Sequence, residues 1–304
     1  MRMSLPERWE ALWLQLTARR WRPPTPPAKP MDYRDRISVV TWLLVFGLGL
    51  SLLYNLPSVV ITFDALGSPI SIPLTETSMA AAFLSVLAAV GADSVVSLHP
   101  RFASTPRWFG WKWTYWALPM ALTIISVFVL PLTPHGLIQV LALLFSGAVL
   151  TLAYFCLYAT VERGQSGFRR ARLLLDALAY GSALVLFLFV YQTRTRSLLS
   201  GTLVAMTAIL LTVEMLRTTV DRPRLVLTYS AIIGLILGQV TWALNYWLLP
   251  GLTGGLLLLL IFYVLVGIAQ QGLQNRLNRR VLLEFVIFTV VALILISLVG
   301  PGFG

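Results

Sequence analysis

Residues 78–98 read SMAAAFLSVLAAVGADSVVSL, an apolar run long enough to cross a bilayer as a helix and broken by a single acid, Asp93. An isolated carboxylate in hydrocarbon costs about 2.5–3.5 kcal/mol on insertion scales, so it needs a partner, a proton or a wet cavity. At a rise of 1.5 Å per residue, Asp93 lies about 7–8 Å inside the end of the run, too deep for its short side chain to reach bulk water. Ser94 and Ser97 are near it, but no Lys or Arg stands within four positions. Asp93 is therefore the first residue to question about function.

Eight further apolar runs accompany this one, at 38–56, 113–132, 136–160, 173–191, 197–216, 225–249, 252–270 and 281–298. Each is near the ~20 residues of a helical crossing, and in lipid only a helix satisfies such a segment's backbone internally. Composition agrees: 58% of the 304 residues are hydrophobic and 12% are charged, where a soluble domain carries about a quarter. The net charge of +11 does not indicate nucleic acid, because the basic residues punctuate apolar runs instead of clustering on one soluble face. The fold class expected is all-α, a polytopic membrane bundle of about nine transmembrane helices with the lipid bilayer as its first partner.

Orientation follows from the basic residues, which are retained on the cytoplasmic side. Of the 23 Lys and Arg, 21 fall before the first run or within 99–112, 161–172, 217–224 and 271–280, and the other side has only Arg194 and Arg196. This alternation requires an odd number of crossings, with the N-terminus cytoplasmic and the C-terminus external.

Around the spans the chain divides simply. In residues 1–22, Ser4 and Glu7 have capping-box spacing, and Trp9, Leu12, Trp13 and Leu16 share one helical face. Such a helix lies in the membrane interface or docks on the protein's own cytoplasmic face, and its Trp9, Trp13 face is the expected contact for a membrane protein partner. Residues 23–36 form a Pro-rich linker, with PPTPPAKP at 23–30 stiff and extended. The transmembrane domain occupies 37–304, and no cleavable leader is expected, so the first span serves as the insertion signal. Its external loop, 57–77, holds two β-rich stretches, 59–63 and 70–72, about Leu66-Gly67-Ser68-Pro69, the pattern of a short hairpin or an extended cap, serving either as a packed lid or as a binding loop. Trp108, Trp111, Trp113, Tyr115 and Trp116 surround Lys112 and are expected as an interfacial belt.

Candidate substrate- or ion-binding residues are the acids at the inner ends of four spans: Asp93, Asp176, Glu214 and Glu284. Together they would line a cavity for cations or protons. Three of them have a basic neighbour at helical spacing, Arg172 for Asp176, Arg217 for Glu214 and Arg280 for Glu284, and so also fit a girdle of structural ion pairs. Arg172-Leu-Leu-Leu-Asp176, Arg224-Leu-Val-Leu-Thr228 and Arg280-Val-Leu-Leu-Glu284 echo one another, as a transporter repeat or as the common basic flank of inward-starting helices. Gly234 and Gly238 form GxxxG, a signature of close helix contact, and Gln239, Asn245, Gln270 and Gln271 supply amides for bonds between helices.

One cysteine and two histidines leave no cysteine/histidine metal site, and Walker-type, HExxH, GxSxG and paired CxxC patterns are missing. The sequence assigns no catalytic residue and no cofactor. A lipid-directed transferase with Mg²⁺ between carboxylates would need two inner acids facing one cavity.

Leu56-Pro57, Leu66-Gly67-Ser68-Pro69 and Ala92-Asp93 closing on His99-Pro100 give the first third of the chain an ordering that resembles an uncharacterised family of bacterial polytopic membrane proteins, a domain of unknown function. The resemblance implies a multi-pass protein of a bacterial cytoplasmic membrane and no activity. Three functions fit: a non-enzymatic structural or accessory component of a membrane process, a transporter or lipid flippase using Asp93, and a membrane-embedded lipid-directed transferase.

Overall fold

A computed structural model describes residues 32–54, 59–65, 68–103, 111–162, 164, 167–193, 197–220, 222–247 and 249–299. The expected N-terminal helix with Trp9 and Trp13 lies outside the described residues, as does most of the Pro-rich linker.

The chain runs α1 (Tyr33–Leu53), β1 (Val59–Ala65), β2 (Ser68–Leu74) and α2 (Glu76–Val96), then a single turn at Pro100–Ala103. A 3-10 turn at Trp111–Tyr115 leads into α3 (Ala117–Val129), which ends in another at Leu130–Leu132. There follow α4 (Leu137–Ala159), α5 (Phe168–Thr193), α6 (Ser197–Leu216), α7 (Pro223–Asn245), α8 (Gly251–Leu273) and α9 (Arg279–Val299). Among the described residues, eight helices are long and apolar enough to cross a membrane, counting α3 with its flanking turns as Lys112–Leu132. The remaining expected span is α6, whose described apolar part is the shorter Ser200–Leu216. The protein is a polytopic helical bundle. The loop between α1 and α2 holds an antiparallel hairpin with Val59 opposite Leu74 and Ala65 opposite Ser68.

Local chemistry marks the helix ends. Thr75 Oγ1 accepts from the Ser78 amide at the start of α2, and Pro223 opens α7, where its missing N–H costs nothing. Beyond α8, Asn275 takes a left-handed conformation at φ 54°, and its amide donates to the Gly272 carbonyl.

Contacts at the two ends of the bundle set α1 antiparallel to α2, α5 antiparallel to α6, and α6 antiparallel to α7. At the basic end the starts of α1 and α5 meet the ends of α2, α4, α6 and α8: Arg36 reaches the Ser94 carbonyl, Arg101 the Val161 carbonyl, Arg217 the Thr160 hydroxyl, and Gln270 the Met215 carbonyl. At the other end Asn245 Nδ2, closing α7, donates to Ser200 Oγ at the start of α6, 2.9 Å away.

The closest pair is α6 with α7. A Cβ at Gly238 would lie 3.1 Å from the Gly201 carbonyl oxygen, and one at Gly234 would lie 2.7 Å from that of Ala205. The GxxxG face is thus used inside the bundle. Tyr154, fully buried on α4, donates its hydroxyl to the Ala88 carbonyl of α2 at 3.0 Å, and Gly91 is small enough to admit Val40 and that same hydroxyl. In contrast, no part of the apolar window of α9 is buried, and the helix leans on α8 through Phe285 at Gly267 and Phe288 against Tyr263.

Candidate functional site

The four acids occupy three different environments. Glu214, on the last turn of α6, is fully buried, as is Arg217 just beyond the helix. Arg217 Nε donates to Glu214 Oε2 at 2.8 Å, its Nη2 lies 2.8 Å from Oε1, and the same Nη2 donates to Thr160 Oγ1 at 2.8 Å. The Tyr115 ring lies under the guanidinium, 4.2 Å from its centre. A charge pair out of water persists only when geometry and further hydrogen bonds repay desolvation, and here the hydroxyl of Thr160 and the π face of Tyr115 supply them.

Arg172 extends this arrangement from α5. Its Nη1 donates to the Glu214 carbonyl at 3.2 Å, its Nη2 donates to the Met215 carbonyl, and Nη2 also stands 3.0 Å from Asp176 Oδ1. The last carbonyls of a helix have no partner within it and carry its negative dipole end, so a guanidinium there completes α6. Gln270 of α8 approaches the same Met215 carbonyl at 3.4 Å. Two acids and two arginines therefore form a neutral quartet joining α4, α5, α6 and α8.

Beside the quartet opens a polar cleft of about 510 Å³, lined by Arg172, Asp176, Thr218, Thr219, Gln270, Gln274 and Arg276. Asp176 is half-buried and reaches it, whereas Glu214 does not. The quartet's charges cancel, so Arg276 gives the cleft its excess positive charge and the amides and hydroxyls give it donors and acceptors.

Asp93 stands apart. It is only partly buried, unlike Glu214, and because α2 stops at Val96 and the chain turns through Ser97 and Leu98, the acid lies within one turn of the helix end. Its carboxylate has no hydrogen bond or ion pair among the described residues. One turn further on, Ser97 Oγ lies 3.5 Å from the ammonium of Lys112, a buried residue that also sits over the Phe102 ring at 5.3 Å. His99 is buried nearby, its ring against Tyr158 and its Nδ1 accepting from the Arg101 amide at 3.3 Å. Burial holds the His99 imidazole below its ordinary pKa, Glu162 opposing this and Arg101 adding to it.

Glu284 is exposed on α9 and forms no ion pair with Arg280 among the described residues. The structure thus brings Asp176 and Glu214 together and leaves Asp93 and Glu284 elsewhere. Sequence reasoning missed Thr160 and Thr218, and placed Tyr115 in an interfacial belt, whereas it is buried beneath Arg217. An isolated sequence carries no signal for a partner 57 residues distant, as Thr160 is from Arg217. Among the described residues no three His, Cys, Asp or Glu side chains converge.

A family model described as "Protein of unknown function (DUF5656)" matches residues 56–299. No curated protein and no solved structure matches the chain.

Proposed function

The chain belongs to this protein family of unknown function, and from its geometry we propose that it is a non-enzymatic, multi-pass accessory component of a membrane process in a bacterial cytoplasmic membrane. One observation carries the reading: the buried acid Glu214 and its neighbour Asp176 are engaged with Arg217 and Arg172 in holding four helices together. Groups so engaged are scaffold, since breaking either pair to bind or protonate a substrate leaves a charge without its counter-ion. The Trp9, Trp13 face is the proposed contact with a partner protein. Gentle extraction in native-membrane nanodiscs should recover a second polypeptide at constant stoichiometry, lost on Trp9→Ala/Trp13→Ala. Recovery of the bare monomer alone overturns the reading.

A second reading is favoured by the open cleft and by the partly buried Asp93, which has no ion pair among the described residues. Here the protein moves a lipid or small polar solute, Asp93 is the coupling or substrate-binding acid, and Asp176 lies at the cleft entrance. Asp93→Asn should then abolish pH-dependent uptake or lipid scrambling in proteoliposomes while the fold survives; unchanged transport removes Asp93 from the mechanism. The transferase reading gains least, because only Asp176 of the four acids lines the cleft.

A further inference from the structure

On the face of α5 opposite Arg172 and Asp176, a groove of about 420 Å³ runs between α3, α4 and α5. Its walls include Ile125 and Val129 of α3, Phe145 and Val149 of α4, and Leu178 and Val185 of α5. Four hydroxyls line it: Ser146 donates to the Ala142 carbonyl, Ser182 to that of Ala179, and Thr133 at the mouth to that of Leu130, while Ser126 contributes one polar atom on α3. With three of the four donors satisfied within their own segments, the groove presents mostly hydrocarbon, Ser126 Oγ apart.

Gly181 opens it. A glycine in a helix interior costs about 1 kcal/mol relative to alanine, and in this bundle that cost usually accompanies close packing. A Cβ at Gly147, Gly234 or Gly254 would fall within 2.5 Å of a neighbour, but one at Gly181 would meet nothing within 4 Å. The missing side chain makes space and brings no helix closer. The space is continuous with the lipid-facing surface, because Phe145 and Val185, which line it, are 70% and 43% exposed. It occupies the half of the bundle away from the basic end, using the second half of α3 and the first half of α4. A largely apolar recess of this size lies within the range of about 300–1,000 Å³ typical of ligand sites.

We propose that this groove is a binding site for one acyl chain of a bilayer phospholipid, drawn from the leaflet opposite the basic end and seated over Gly181 between α3, α4 and α5. The bilayer itself supplies the occupant, and its chain replaces contacts that the three helices do not make with one another. The site is separate from the polar cleft, so α5 carries a charged helix lock on one face and a lipid seat on the other.

The test uses the full chain in nanodiscs containing a phosphatidylcholine with a diazirine on one acyl chain. Photolabel should concentrate on the peptides carrying Phe145 and Gly181–Val185, and should fall at least about fivefold in Gly181→Phe, which fills the groove, with thermal stability retained. If Gly181→Phe does not fold, Ala177→Leu takes its place with the same expected loss. Label spread evenly over the lipid face, including Val286 and Val290 of α9, and unchanged by either substitution overturns the proposal, since the groove then holds only passing annular lipid. Preferential labelling by a polyprenyl diazirine probe, with the acyl probe unlocalised, overturns it equally.

Discussion

Glu214 and Arg217 show what a residue's surroundings add to its charge. Removing one partner of a buried pair typically costs about 3–5 kcal/mol, because the survivor is left charged and dry. Glu214→Gln or Arg217→Met should therefore lower unfolding free energy by about that much, whereas Asp176→Asn, at a half-exposed pair, should cost nearer ~1 kcal/mol. Denaturant titration in mixed micelles reads the difference; equal effects would refute the ranking. His99 gives a pH dependence of known sign. Its folded-state pKa is depressed below the ordinary value of 6.5, so the unfolded chain binds the proton more readily. The neutral ring's contribution is complete above about pH 6.5 and is lost as pH falls toward the folded-state pKa. The thermal midpoint should drop as pH falls below 6.5 in the native chain, with a smaller drop in His99→Gln; identical drops would discount the histidine.

Helices repeat a pattern without repeating its use. Arg172 and Asp176 open α5 with a closed ion pair, while Arg280 and Glu284 open α9 at the same spacing with no ion pair among the described residues. At the corresponding place in α7, Thr228 donates to the Arg224 carbonyl. The i,i+4 interval puts two side chains within reach, and whether they meet depends on what else competes for them. For Arg172 the competitors are the carbonyls ending α6, which hold the guanidinium beside Asp176. Glu284→Gln should accordingly change stability by less than ~0.5 kcal/mol, as exposed substitutions away from special features do. The α6–α7 contact behaves oppositely. Gly238→Leu places atoms where Ala205 and the Gly201 carbonyl already stand, and overpacking of this kind costs about 1–3 kcal/mol. A variant as stable as the native chain, measured by thermal shift in detergent, would show that the two helices can separate.

For the whole molecule, the even alternation of basic and neutral ends defines a labelling experiment. Cys156 is the single cysteine of the sequence and is buried, so Cys156→Ala supplies a clean background. Cysteines placed singly at Arg101 and Arg276 should react with an impermeant maleimide only from the cytoplasmic side, and one at His135 only from outside. Reaction of Arg101 and Arg276 variants from opposite sides would break the topology.

The sequence alone determined the helical membrane class and the alternation, and it narrowed the loop at 57–77 to a hairpin or an extended cap, which the pairing of β1 with β2 decides. Apolar runs near 20 residues long have one way to satisfy their backbones in lipid, and 21 of 23 basic residues mark one side. These are properties of segments, readable where they stand. Only tertiary structure decided that Asp93 is partly buried while Glu214 is sealed, that Tyr115 underlies Arg217, that Arg172 finishes a helix other than its own, and that Gly181 opens a groove. Each of these depends on which helix lies alongside, and in a bundle whose faces are all apolar, hydropathy does not distinguish one neighbour from another.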